Sequence, residues 1–432
     1  MHKTKSLKLN ITFQSDISLS DATELKGKDS KSNSGSKGRI WEFIALATIP
    51  IVLVFGNSML VPVLPIMQRE LDISKFQSSL IISIFSLAAG IFIPVIGYLS
   101  DRFGRKKIII PALIIYGGSG VLAGFGAIWD SYSVIIVARA IQGFAAAGTA
   151  PIAMALVGDL YNGGTESKAL GLIEASNGVG KVLSPIIGSL LVLIVWYASF
   201  FAFPVFCALS LLAVIFLIKE PKHNQKQKLK VYIQKIRQIF SEKGRWLITS
   251  FFAGSLGLFI LFGVLFYLSN TLEEAPYNID GVRKGLVLAI PLLGMAITSY
   301  TTGSLIKKKG VLMRWLMNIG LIAMTISLAA TIFFFKNIYV FIGLLTVSSI
   351  GTGLLLPCLN TIITGAVEKS ERGMITSLYN SLRFLGVAAG PPLFGWMMDK
   401  SDRIIFISVS ALSFITLGLV FFLIKPPAKL TE

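Results

Sequence analysis

Apolar and polar residues alternate along this chain over long intervals. Stretches of 18 or more residues nearly free of charge are separated by short polar connections, and about twelve of them fall between residues 43 and 424. The predicted spans are 43–66, 77–99, 108–128, 132–157, 169–193, 197–218, 246–269, 285–306, 315–334, 338–363, 374–397 and 404–424. Roughly twenty such residues cross a bilayer core as an α-helix, which also keeps every backbone donor paired in lipid. The pattern therefore predicts an all-α membrane protein. The longest polar connection divides the spans into two groups of six. The expected plan is a disordered tail at 1–38, a six-helix bundle at 39–218, a cytoplasmic linker at 219–245, a second bundle at 246–425 and a tail at 426–432. Residues 1–38 are rich in Ser, Lys, Asp and Asn and contain no sustained apolar run, so nothing there repays the entropy of ordering. The first apolar run opens near Ile40, too late for a cleavable signal, and span one is expected to be a retained helix.

The two halves repeat at one register. Gly97 and Gly303, Gly104 and Gly310, Pro151 and Pro357, Gly180 and Gly386, and Pro185 and Pro391 each lie 206 residues apart. An even number of spans per half keeps both halves in the same orientation, the parallel relation found in transporters whose site lies near the midplane. In that register Glu174 corresponds to Asn380 and Asn177 to Arg383.

A formal charge of +18 on 432 residues would suggest nucleic acid if the chain were soluble, but only 14% of the residues are charged and 54% are apolar. The placement of the charge settles its meaning. With the N-terminus cytoplasmic, 30 of the 40 Lys and Arg fall on the inside, 7 on the outside and 3 within spans. That asymmetry is the positive-inside rule, so it predicts both termini in the cytoplasm and no nucleic-acid partner. Cys207 and Cys358 sit in different apolar halves, and neither His2 nor His223 lies in a span. No disulfide, metal centre or imidazole relay is expected. There is no phosphate-cradling loop for ATP and no soluble catalytic domain, so the expectation is a non-enzyme without a cofactor, powered by an ion gradient.

Four motifs give the reading more detail. The turn between spans two and three runs Gly97-Tyr98-Leu99-Ser100-Asp101-Arg102-Phe103-Gly104-Arg105-Lys106-Lys107. Its second-half counterpart, Gly303 to Gly310, has Lys307 in place of the aspartate. Span four carries Arg139, Gln142 and Gly143. Span five carries Gly171, Gly180, Ser184, Pro185 and Gly188, and span one carries Gly56 followed by Pro62-Val63-Leu64-Pro65. Together these resemble the twelve-span drug:proton antiporters of the major facilitator superfamily, with a further resemblance to the siderophore (bacillibactin-type) exporters of bacilli. The departures are Ser184 where the antiporter motif has glycine, and a first helix whose polar residues are Asn57 and Ser58, without a carboxylate.

The resemblance implies a proton-coupled exporter of small organic molecules in the cell membrane, monomeric and working by alternating access. A general drug pump and an exporter of an anionic metabolite both fit, and an importer or uniporter of a small metabolite is the alternative. It also implies conformational gating by Gly97, Asp101, Arg102, Gly104 and Arg105, with Asp101 meeting the other bundle near the start of span eleven. Arg139 is implicated in proton transfer, and a helix-to-helix tie through Gln142 and backbone carbonyls is the structural alternative. Glu174 is the carboxylate within the predicted spans, which makes it the candidate proton carrier with Arg139 as the charge that tunes it. Glu174, Asn177, Lys181 and Ser184 follow helical spacing along one face. Asn57, Gln142, Asn177, Lys181, Asn380 and Arg383 are the candidate cargo-binding residues. Their positive balance favours an anionic, zwitterionic or neutral cargo over a permanent cation.

Overall fold

The computed structural model describes residues 40–161, 163–220, 229–306, 309–334, 337–365 and 372–425. The two tails lie outside these residues, as does the stretch 221–228. Among the described residues twelve long helices follow one another: α1 (Ile40–Glu70), α2 (Lys75–Phe103), α3 (Lys106–Ile128), α4 (Tyr132–Leu160), α5 (Gly163–Val192) and α6 (Ala198–Leu217), then α7 (Leu229–Glu273), α8 (Gly281–Ile306), α9 (Gly310–Phe334), α10 (Ile338–Gly365), α11 (Arg372–Met398) and α12 (Asp402–Leu423). All except α11 are long and apolar enough to cross a membrane. α11 has the same length but carries Asn380, Ser381 and Arg383 in mid-helix.

Two helices are interrupted where their sequences require it. α1 breaks at Met59 and Leu60 and continues as a 3-10 turn, Val61–Val63, because Pro62 and Pro65 remove two backbone donors. α4 loosens at Ala147–Thr149, just before Pro151. α7 departs from expectation in the other direction. The segment 229–245, expected as a linker, continues the helix, so α7 is 45 residues long. At 1.5 Å per residue that is roughly 68 Å, against a bilayer core of about 30 Å. Its first turns bury Tyr232 and Ile239 on one side and leave Lys230 and Arg237 exposed on the other. This amphipathic spacing lacks a long apolar run, which is why a span search passes over it.

The bundles meet along two helix pairs, α2 with α11 and α5 with α8, and α1 touches α7. Small residues make the close approaches possible. A side chain on Gly188 of α5 would run into the carbonyl of Met59 at the α1 break, and one on Gly285 of α8 would lie 2.7 Å from the carbonyl of Pro185. On α11, Ser381 donates to the carbonyl of Gly90 at 2.5 Å. Of these, the Gly285–Pro185 approach closes the interface toward the end that carries the α1–α2 and α7–α8 connections, Ser381–Gly90 joins the bundles at mid-helix, and Gly188–Met59 packs α5 on α1 within the first bundle. At the other end, which carries the α2–α3 and α8–α9 turns, the bundles part.

The central cavity as candidate transport site

The parted end holds a cavity of about 1540 Å³. Its mouth is lined by Asp101 and Arg102 of α2, Lys168 of α5, Tyr232 and Lys235 of α7, Ser304 of α8 and Arg372 of α11. Farther in it reaches Glu174, Asn177 and Lys181 on α5, facing Tyr379, Asn380 and Arg383 on α11. A recess of about 90 Å³ continues from these positions, Tyr379 excepted, between Leu53, Asn57, Leu258, Phe262 and Phe384. The 206-residue repeat thus brings the α5 stripe and its α11 counterpart to one space between the bundles. Ser184 does not share it. This side chain is buried and donates to the carbonyl of Lys181 at 3.0 Å.

The polar groups of the cavity are sparsely paired. Arg383 donates to Asn380 at 3.2 Å and lies 5.4 Å from the ring centroid of Tyr379. Its Nε, the Nε of Arg372 and the hydroxyl of Tyr379 are buried donors without an acceptor among the described residues. Glu174, Lys181 and Arg383 line both the cavity and its recess. At the mouth, Arg105 engages both nearby carboxylates: it forms an ion pair with Asp101, one turn earlier, and donates to Asp159 at 2.9 Å. Counted over the described residues, the lining sets Arg102, Arg105, Lys168, Lys181, Lys235, Arg372 and Arg383 against Asp101, Asp159 and Glu174, an excess of four positive charges.

Arg139 and its motif neighbours lie elsewhere. Arg139 is fully buried in the first bundle, donating to the carbonyl of Ile81 at 2.8 Å, to Gln142 at 2.5 Å and to Asn57 at 3.0 Å. Its guanidinium also stands 4.4 Å from the ring centroid of Phe85. Asn57 in turn donates to Ser86 at 2.7 Å, and Gln142 points toward the carbonyl of Tyr116 at 3.5 Å. The cluster clasps α1, α2, α3 and α4 together. None of these hydrogen bonds reaches α5, so the structure does not bring Arg139 to Glu174. Gln142, expected at the cargo, lines neither the cavity nor its recess, and Asn57 touches only the recess.

The gating turn is held from the end of α6 and the residues just after it, a contact with no sequence motif. Glu220 accepts the backbone N–H groups of Arg105 and Lys106, the latter at 3.1 Å, and so caps the N-terminus of α3. Lys106 donates to the carbonyls of Ile215 and Ile218, both at 2.8 Å. Gly104 has a φ of 106°, the left-handed conformation that favours glycine. Asp101 lies at the same cavity mouth as Arg372 and Gly373 of α11, while its ion pair is with Arg105 of its own bundle.

The family model of the Major Facilitator Superfamily matches residues 46–317 and 265–432. The chain belongs to this superfamily. It is a multi-pass membrane transporter of small molecules and not an enzyme. The bacillibactin exporter of Bacillus subtilis is 44% identical over 394 residues, covering 90% of this chain and 97% of its own. Multidrug resistance protein 1 of the same organism is 25% identical, covering 82% of this chain and 89% of its own. Among solved structures, the human organic anion transporter MFSD10 superposes with a TM-score of 0.70 at 20% identity, covering 88% of this chain and 99% of its own. That likeness bears on the fold.

Proposed function

We propose that this transporter exports an anionic small organic molecule across the plasma membrane by proton antiport, as a monomer with both termini in the cytoplasm. The observation that carries the cargo charge is the cavity lining, where among the described residues seven cationic side chains stand against Asp101, Asp159 and Glu174. An unpaired cation in a membrane-embedded cavity is costly, and a bound anion offsets that cost. Lys181 and Arg383 approach from opposite bundles, so cargo held between them bridges the two moving halves. Asn177 and Asn380 supply the uncharged donors and acceptors beside it.

Basic residues concentrate at the cavity mouth, which on the positive-inside rule opens to the cytoplasm. Glu174 is the proton carrier in this reading. Opposite charges favour an ionised carboxylate and dehydration opposes it, and alternating access changes both around this side chain. Lys181 and Arg383 take the tuning role that the motif resemblance gives to Arg139. Asp101 holds the turn at the mouth and changes partner as the bundles close.

Bacillibactin, named for the 44% identical relative, and the drugs implied by the names of the more distant relatives are the first cargos to test. Uptake into inverted membrane vesicles, with proton and sodium gradients imposed separately, is the experiment. The reading requires uptake of an anionic cargo driven by the pH gradient. Uptake driven by sodium, or transport confined to lipophilic cations, overturns it.

A further inference from the structure

The closed end of the molecule contains a second charge cluster, distinct from the cavity and absent from the motifs. Glu273, near the end of α7, is buried, with 6% of its side chain exposed, and pairs with Lys284 of α8, which is 1% exposed. Both belong to the second bundle. Across the interface Arg69 of α1, 62% exposed, donates to the same carboxylate at 2.5 Å. Beside it Lys75 of α2 pairs with Glu274 at 2.7 Å, with 32% and 54% of the two side chains exposed. Gln68 donates to Asn270 at 3.0 Å, and Ser269 to the carbonyl of Val61 at 2.8 Å.

The geometry points to a reversible charge latch that holds this end shut, built so that the costly part never breaks. The buried pair Glu273–Lys284 lies within one bundle and moves with it, so separating the bundles strands neither charge. Of the charged groups, only the wet partners cross the gap, beside the neutral Gln68–Asn270 and Ser269–Val61 hydrogen bonds. Arg69 and Lys75 regain full hydration when they leave, and water screens what they give up, so each link is weak on its own. A carboxylate that already has its own lysine can accept the incoming arginine and release it again without being left bare. Ser269, Asn270 and Glu273 share the last turns of α7 and Glu274 follows directly, so one helix end closes against α1 and α2 as a unit.

The test uses a thiol reporter behind the latch. Ser189 of α5 is buried, has no hydrogen-bond partner among the described residues and lies against Gly285 of α8 across the bundle interface. With Cys207 and Cys358 replaced by alanine, Ser189→Cys is labelled with an impermeant maleimide from each side of the membrane in turn, in intact cells and in inverted vesicles. Reading both sides separates a wrong orientation from a wrong latch. Arg69→Ala and Lys75→Glu are expected to speed labelling from the closed face roughly two- to fivefold. The same substitutions should slow labelling of Ala296→Cys, which lines the cavity on the opposite side. The charge swap Lys75→Glu with Glu274→Lys should return both rates to the parent's. Unchanged labelling in the single variants, a swap that fails to restore it, or a rise at both reporters together, which marks general loosening, overturns the latch.

Discussion

Arg139 separates two roles that a motif alone cannot distinguish. It reaches acceptors on α1 and α2 as well as Gln142 on its own helix, with three of its nitrogens donating. Lysine preserves the charge but lacks the planar fork that spans those acceptors. Arg139→Lys is therefore expected to lower stability by roughly 1–3 kcal/mol, seen as a lower Tm in detergent, because Asn57 and the Ile81 carbonyl lose their donors. If Arg139 acted only as a charge, the lysine variant would keep its Tm. Glu174 belongs to the other class, since it lines the cavity and its recess. Glu174→Gln should abolish export driven by a pH gradient while cargo binding, followed by thermal shift, persists. Lys181→Met and Arg383→Met should each raise the KM for an anionic cargo about tenfold, the effect of one lost charge-assisted contact, and change transport of a neutral drug far less. Equal losses for both cargos would instead make the two side chains structural ties.

At the scale of the element, the glycines of the α5 motif look equivalent in sequence and are not equivalent in the fold. Nothing lies within 4 Å of a side chain added at Gly171, whereas one added at Gly188 meets the backbone of α1 at Met59. Gly171→Ala should be tolerated and even add about 0.5–1 kcal/mol of stability by restricting the unfolded chain. Gly188→Val should lose most folded protein, because the carbonyl it strikes cannot move without shifting the helix. Size-exclusion profiles of the two variants check the contrast, and similar behaviour would refute it. The turn between α2 and α3 gives a second case. Glu220→Gln keeps the acceptor geometry but removes the anion from the N-terminus of α3, which is expected to cost about 0.3–1 kcal/mol. Sequence reading finds Arg105 in the turn and passes over Glu220, since the two are 115 residues apart and no local pattern joins them.

For the whole molecule, the proposed orientation has a direct check. Single cysteines at Ser36 and Gln227 should resist impermeant thiol reagents in intact cells, because the Lys and Arg excess belongs to the cytoplasmic side. Labelling of either one would invert the assignment and with it the direction in which the cavity opens. The sequence alone was enough for the all-α membrane class, the two-bundle repeat, the superfamily and the pairing of the α5 and α11 stripes. The superfamily rests on the resemblance of four motifs, and the other properties follow from apolar length, from helical periodicity and from one fixed offset, all of which are local or linear features of the chain. Tertiary structure alone decided which polar residues share a space. It turned Arg139, Gln142 and most of Asn57 inward to tie helices, left Lys181 and Arg383 at the cavity, and buried Glu273 and Lys284 at the closed end, where each lies just beyond the end of a predicted span. A charge at a helix end reads as solvated until the packing of another helix removes its water. Whether a polar side chain serves transport, holds helices together or locks a gate is fixed by which helix packs against it, and that contact joins residues far apart in the chain.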